Sequence, residues 1–281
     1  MQVFNLSKPT VCAASAALLL TLAAQASAGA LPALASRPVT SSWHLVWQDE
    51  FNGNNGAAAD PSKWTYETGG AWGNGTELQY YTDRTANASI QNGNLQITVN
   101  KEDYQGNQYT SARLESHGKF AQMYGRFEAR IKIPQGQGIW PAFWLLGDNI
   151  DQVGWPNSGE IDVMEHVNAE RSIESTIHFP GASGDSSIGA SYSLPRNGVF
   201  AAGYHVYAVE WEKGAVRFYV DDNLFQTVKR SDLKAGQQWV FDHPFHIIFD
   251  VAVGGPWAGN PDSSTVFPQS MLVDYVRVYS H

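Results

Sequence analysis

The stretch Gly125-Arg126-Phe127-Glu128-Ala129-Arg130-Ile131-Lys132-Ile133 alternates apolar and charged residues without a break. A β-strand sends successive side chains to opposite faces. Phe127, Ala129, Ile131 and Ile133 therefore share one face, and Arg126, Glu128, Arg130 and Lys132 share the other. Such a strand belongs to a half-buried sheet, as in a sandwich of two stacked sheets. The same alternation recurs at Leu95–Val99, His205–Trp211, Val216–Val220 and Leu272–Tyr279. Turn formers separate these runs, at Gln91-Asn92-Gly93-Asn94, Pro134-Gln135-Gly136 and Asp221-Asp222-Asn223. Helical periodicity is nearly absent. Many short strands at close spacing predict an all-β sandwich or barrel.

The chain has 281 residues, a length that suits one large β domain. Its first part reads differently. Lys8 precedes an apolar run from Val11 to Ala24, and Ala26-Ser27-Ala28 follow. That pattern predicts a signal peptide at 1–28, cleaved after Ala28, and hence a secreted protein, extracellular or periplasmic. The apolar run is short and alanine-rich, below the ~20 residues that span a bilayer. Residues 29–41 read as a flexible leader, and 42–281 as a single domain with no linker or repeat. Cys12 is the only cysteine and falls in the expected signal peptide, so no disulfide is expected. An exported chain of this kind relies on its core or on a metal.

The formal net charge is −9, with Lys and Arg scattered rather than clustered. Nucleic acid and anionic membranes are therefore poor partners. The ten Trp and twelve Tyr are more informative, because many lie in Gly/Asn-rich stretches rather than in apolar runs. Aromatic faces either stack on sugar rings or fill a large core, and both uses are expected.

The sharpest segment is Gly159-Glu160-Ile161-Asp162-Val163-Met164-Glu165-His166. In a regular strand Glu160 and Asp162 share a face, Glu165 points away, and Met164 faces the acids. One extra residue at Val163-Met164, a β-bulge, would return Glu165 to the acidic face and bury both apolar residues. Three carboxylates on one face repel one another, and one of them tends to hold a proton. Glycoside hydrolysis needs that division, with one carboxylate ionised and another protonated. Asp162 lies between them and can tune the pair. An acidic edge or a calcium site would also use these residue types. The spacing of Glu160 and Glu165 permits either a retaining or an inverting geometry.

With Trp47–Phe51, Glu77–Tyr81, Tyr109–Arg113, Gly138–Leu146, Ile177-His178, Ala252–Gly255 and Val273–Tyr279 in order, the chain resembles glycoside hydrolase family 16. Within it, the likeness is to bacterial laminarinase-type endo-β-1,3-glucanases. The resemblance implies a β-jelly-roll sandwich of two antiparallel sheets, a concave open cleft and a retaining mechanism. It implies Glu160 as nucleophile, Glu165 as general acid/base and Asp162 as the assisting carboxylate. It places His178 near the acid/base, Trp140 and Trp155 around the cleavage point, and Asn74 and Arg113 as polar contacts to sugar. It further implies a structural calcium ion on the convex side, held by the backbone carbonyls of Glu50 and Gly93 and the side chain of Asp274, an oxygen set that suits a hard cation. Phe143 and Trp144 read as core. Asp250 departs from the pattern, which commonly has Asn before Ala-Val-Gly-Gly.

The expected function is hydrolysis of internal β-1,3 linkages in laminarin-type glucans, with some mixed-linkage cleavage, by a monomer acting on a polysaccharide. The extra residue in the acidic motif separates the chain from strict mixed-linkage lichenases. A galactan-directed enzyme would be expected to have a more basic cleft. A non-catalytic glucan-binding relative would have lost the glutamates. A transglycosylase remains open on the same chemistry.

Overall fold

The computed structural model describes residues 43–281. The expected signal peptide (1–28) and leader (29–41) lie outside the described residues. The described residues fold almost entirely as strands, joined by turns and three four-residue helices. The strands form two sheets, one of ten and one of seven.

The strand Gly125–Lys132 follows the sequence pattern residue by residue, alternating buried and half-buried along its length. Phe127, Ala129 and Ile131 are fully buried against the other sheet, which supplies Phe143, Leu145, Ile161, Ile177 and Phe249. On the outer face Arg126 bonds Glu128 and Glu210, and Arg130 pairs with Asp274. Apolar burial between the layers drives the sandwich, and opposite charges on the outer face keep it soluble.

The sandwich of two antiparallel sheets is as expected, with one short parallel pair at an edge. Gln79–Tyr81 and Asn107–Ser111 pair in parallel at the edge of the larger sheet. Parallel neighbours need a long crossover. The hairpin formed by Ala88–Gln91 and Asn94–Tyr104 supplies it.

The seven-stranded sheet positions the site. Its middle runs Ser172–Gly181, Glu160–Glu165, Ile139–Gly147, Phe245–Val253, Arg113–Glu115. Register then fixes rows of neighbours across its outer face. Glu160 stands opposite Leu146, and Leu146 opposite His246. Asp162 stands opposite Trp144. Glu165, Ala142, Asp250, Arg113 and Glu67 make a third row.

Candidate active site

The register slips by one residue between Asp162 and Met164 on one side of the acidic strand, and between Asp162 and Glu165 on the other. Glu160 and Glu165 are five residues apart in the chain. Their partners Leu146 and Ala142 are four apart, as are His178 and Glu174. An even count on both neighbours puts both glutamates on the same face. Val163 and Met164, 1 % and 0 % exposed, both turn into the core. The bulge expected at Val163-Met164 is therefore present, and its cause is the burial of two successive apolar residues.

Glu160, Asp162 and Glu165 line one pocket with Trp140, Trp144 and Arg113. Each glutamate receives an indole N–H. Trp140 Nε1 donates to Glu165 Oε1 at 3.0 Å, and Trp155 Nε1 donates to Glu160 Oε2 at 3.0 Å. Asp162 is nearly inaccessible, and its Oδ2 lies 3.4 Å from His178 Nε2. The other ring nitrogen of His178 meets the Asp185 carboxylate at 3.1 Å.

These surroundings separate the three acids. Burial pushes the Glu165 carboxyl up to about 8, the charge of Glu160 adds to that, and the Trp140 bond only partly opposes it. Burial also raises Glu160, but His178 and Arg113 pull it back, as do hydrogen bonds from Asp162 and Trp155. Asp162 is held well above the usual carboxylate range by burial and by the two flanking glutamates. Burial and neighbouring charge thus favour a proton on Glu165 near neutral pH and push Asp162 in the same direction, while Glu160 is the acid with positive charge set against that push.

The floor of the groove is a charged network. Asp250 Oδ1 accepts from Trp144 Nε1 at 2.8 Å, and its Oδ2 accepts from the Tyr81 hydroxyl at 2.9 Å. Arg113 stands opposite Asp250 in register and is paired with Glu67. Its guanidinium lies between the rings of Trp72 and Trp144, at 4.7 and 4.6 Å from their centres. Two cation–π contacts and the Glu67 pair together hold the guanidinium at the edge of the groove.

Three expectations change. Trp144 is not core: its side chain faces the groove, while Phe143 is buried as expected. His178 stands opposite Glu160 and touches Asp162, rather than lying beside Glu165. Asn74 sits exposed in a short left-handed turn (φ 57°) and is not among the residues lining the pocket; its neighbours Trp72 and Glu77 are. Sequence reasoning missed Trp72, Glu77 and Tyr81. Only the Tyr81 parity within its strand offered a signal, and nothing local tied it to Asp250, 169 residues away.

On the convex side, the strand Gln269–Ser280 changes partner at Asp274. It pairs with Asn94–Tyr104 up to Val273 and with His44–Asp49 from Val276 onward. Glu50 and Gly93 immediately flank those two partner strands, at the ends nearest the switch in pairing. One Asp274 oxygen accepts from Arg130 at 2.6 Å. The Glu50 carboxylate itself is forked to Arg277 at 2.7 and 2.9 Å.

An open groove floored by aromatics and by carboxylates held in different protonation states defines a glycoside hydrolase. Comparisons with known proteins agree. The profile of Glycosyl hydrolases family 16 matches residues 76–277. A β-glucanase of Rhodothermus marinus is 43% identical over 249 residues, 84% of this chain and 85% of that protein. Glucan endo-1,3-beta-glucosidase A1 of Niallia circulans is 38% identical over 86% of this chain, which spans only 38% of that longer protein. The laminarinase catalytic domain of Thermotoga maritima superposes with a TM-score of 0.79 at 45% identity, over 86% of this chain and 99% of that one. The chain belongs to glycosyl hydrolases family 16.

Proposed function

We propose that the protein is a retaining endo-β-glucanase that cleaves internal β-1,3 linkages of laminarin-type glucans. One observation carries the reading: a bulged strand aims Glu160, Asp162 and Glu165 at the same side of an aromatic groove. The relatives' names supply the substrate, being a β-glucanase, an endo-1,3-β-glucosidase and laminarinases.

In the first step a Glu160 oxygen attacks the anomeric carbon and forms a glycosyl ester. The bond from that carbon to the leaving oxygen breaks, and the leaving oxygen takes the proton of Glu165. In the second step Glu165, now ionised, removes a proton from water. The resulting hydroxyl attacks the anomeric carbon, and Glu160 leaves as carboxylate. Asp162 holds its proton toward Glu160 and keeps the nucleophile ionised, while His178 orients Asp162. Arg113, Trp140, Trp144 and Trp155 hold the sugar.

The test is release of new reducing ends from laminarin, lichenan, agarose and xyloglucan. Laminarin should be the best substrate, and Glu160→Gln and Glu165→Gln should each lose most activity while folding normally. Normal turnover by Glu160→Gln would end the mechanism. Two further readings belong to the proposal. Export after cleavage at Ala28 rests on the signal-peptide pattern of residues 1–28, and a mature chain that retains Met1 would refute it. A structural calcium at Glu50, Gly93 and Asp274 rests on the family resemblance and on the place of Glu50 and Gly93 at the ends of the strands beside Asp274, and the melting temperature should fall when a chelator is added.

A further inference from the structure

His246 is completely buried, yet neither of its ring nitrogens has a hydrogen-bond partner among the described residues. Buried polar groups are almost always satisfied, so this one calls for a reason. Its surroundings are chemical rather than apolar. The Nε2 atom faces Glu115 Oε2 at 3.9 Å, and Nδ1 faces Asp148 Oδ1 at 3.3 Å. The Asp148 Oδ1 atom also lacks a hydrogen-bond partner among the described residues. His117 stacks on His246 with ring centres 4.5 Å apart, and its Nε2 lies 3.8 Å from the same Asp148 oxygen.

We propose that Glu115, His117 and His246 form a binding site for a divalent transition-metal ion, with zinc the best fit, and that Asp148 orients His246 from its other ring nitrogen. Imidazole and carboxylate are the donors such ions prefer. One donor atom from each of Glu115, His117 and His246 lies within 4.8 Å of the other two, and Glu115 Oε2 is 3.9 Å from His246 Nε2, close to the spacing of donors around one ion at ~2.0–2.2 Å. Ligation needs a neutral imidazole, and burial keeps His246 neutral, pushing it down to about 3. The cation would offset the carboxylate charge that burial otherwise disfavours, for Glu115 rises to about 7 in its absence. The two rings lie only 24° from parallel, so the half-buried His117 turns to bring its nitrogen to the ion, while His246 is the fixed ligand.

The site is separate from the acidic triad. His246 is two strands away from Glu160 along one row, roughly 10 Å at the usual strand spacing. Glu115 lies two residues beyond Arg113 on the same strand. The metal would therefore sit on the flank of the groove rather than at the scissile bond.

The experiment titrates zinc ions into the chelator-stripped whole chain by calorimetry, and cobalt(II) ions by visible absorption. The expected result is one ion per chain with ligand-field bands of a low-coordinate site. His117→Ala and Asp148→Asn, both at part-exposed positions, should weaken binding roughly 10- to 100-fold without loss of folding. Glu160, Asp162 and His178 form the other cluster of metal-binding residue types. Binding lost in His178→Ala but kept in both other variants would overturn the proposal, as would no binding at all.

Discussion

Trp155, about half exposed, donates its indole N–H to Glu160 Oε2 at 3.0 Å. The bond stabilises the charged carboxylate and so opposes the upward push of burial. Trp155→Phe keeps an aromatic face and removes only the donor. The Glu160 carboxyl should then rise, and the acidic limb of the rate profile should move to higher pH. A hydrogen bond to a charged group contributes about 1.5 kcal/mol at a partly exposed site, or about tenfold in kcat/KM near the limb. An unmoved limb would mean that the contact positions sugar only.

Glu165 gives a prediction for stability as well as rate. Its carboxyl is held at about 8 in the fold against an ordinary 4.5. The folded state therefore binds a proton that the unfolded state releases above 4.5, and this contribution to stability is lost as pH rises from 4.5 through about 8. Glu165→Gln cannot ionise. Its melting temperature should match that of the parent near pH 4 and exceed it by a few degrees at pH 9. In the parent enzyme, activity should fall above about pH 8 as the acid loses its proton.

Asp250→Asn tests the floor. Asp250 adds to the upward push on Glu165, so removing its charge should shift the basic limb to lower pH. The amide oxygen can still accept from Trp144, and the amide nitrogen can donate to Tyr81, which serves as acceptor. Arg113 loses its facing carboxylate but keeps Glu67. A stability loss of about 1–2 kcal/mol by thermal melting is expected.

Arg113→Lys should raise KM more than it lowers kcat. A compact ammonium cannot keep both ring contacts and the Glu67 pair that the planar guanidinium makes. The loss should be about 1–2 kcal/mol of sugar binding, or roughly tenfold. Equal effects on both constants would instead place Arg113 in the transition state.

Much of this was legible before any coordinates. Strict alternation at Gly125–Ile133 gives a sandwich because only a half-buried sheet rewards that pattern. The bulge followed from a conflict between two apolar neighbours and the parity of three acids. Trp144 was misread because Ile139–Leu146 is apolar on both faces, which hides the alternation. Counting by twos from Trp140 through Ala142 would have placed it in the groove. Asn74 failed for another reason: its left-handed turn turns on loop geometry that no periodicity records. His178 depended on strand register, which pairs residues across a sheet and leaves no trace in the spacing along one strand.

The bulge has one more consequence. Without either Val163 or Met164, the segment would revert to plain alternation, and its last glutamate would still look outward with the other two acids. Chain length and side-chain facing are thus uncoupled at this point. A single-codon loss here should leave a chain that still presents all three acids, whereas the same loss in Ile139–Gly147 or Phe245–Val253 would turn everything downstream inside out. This part of the sheet can lose a residue during evolution without losing its chemistry.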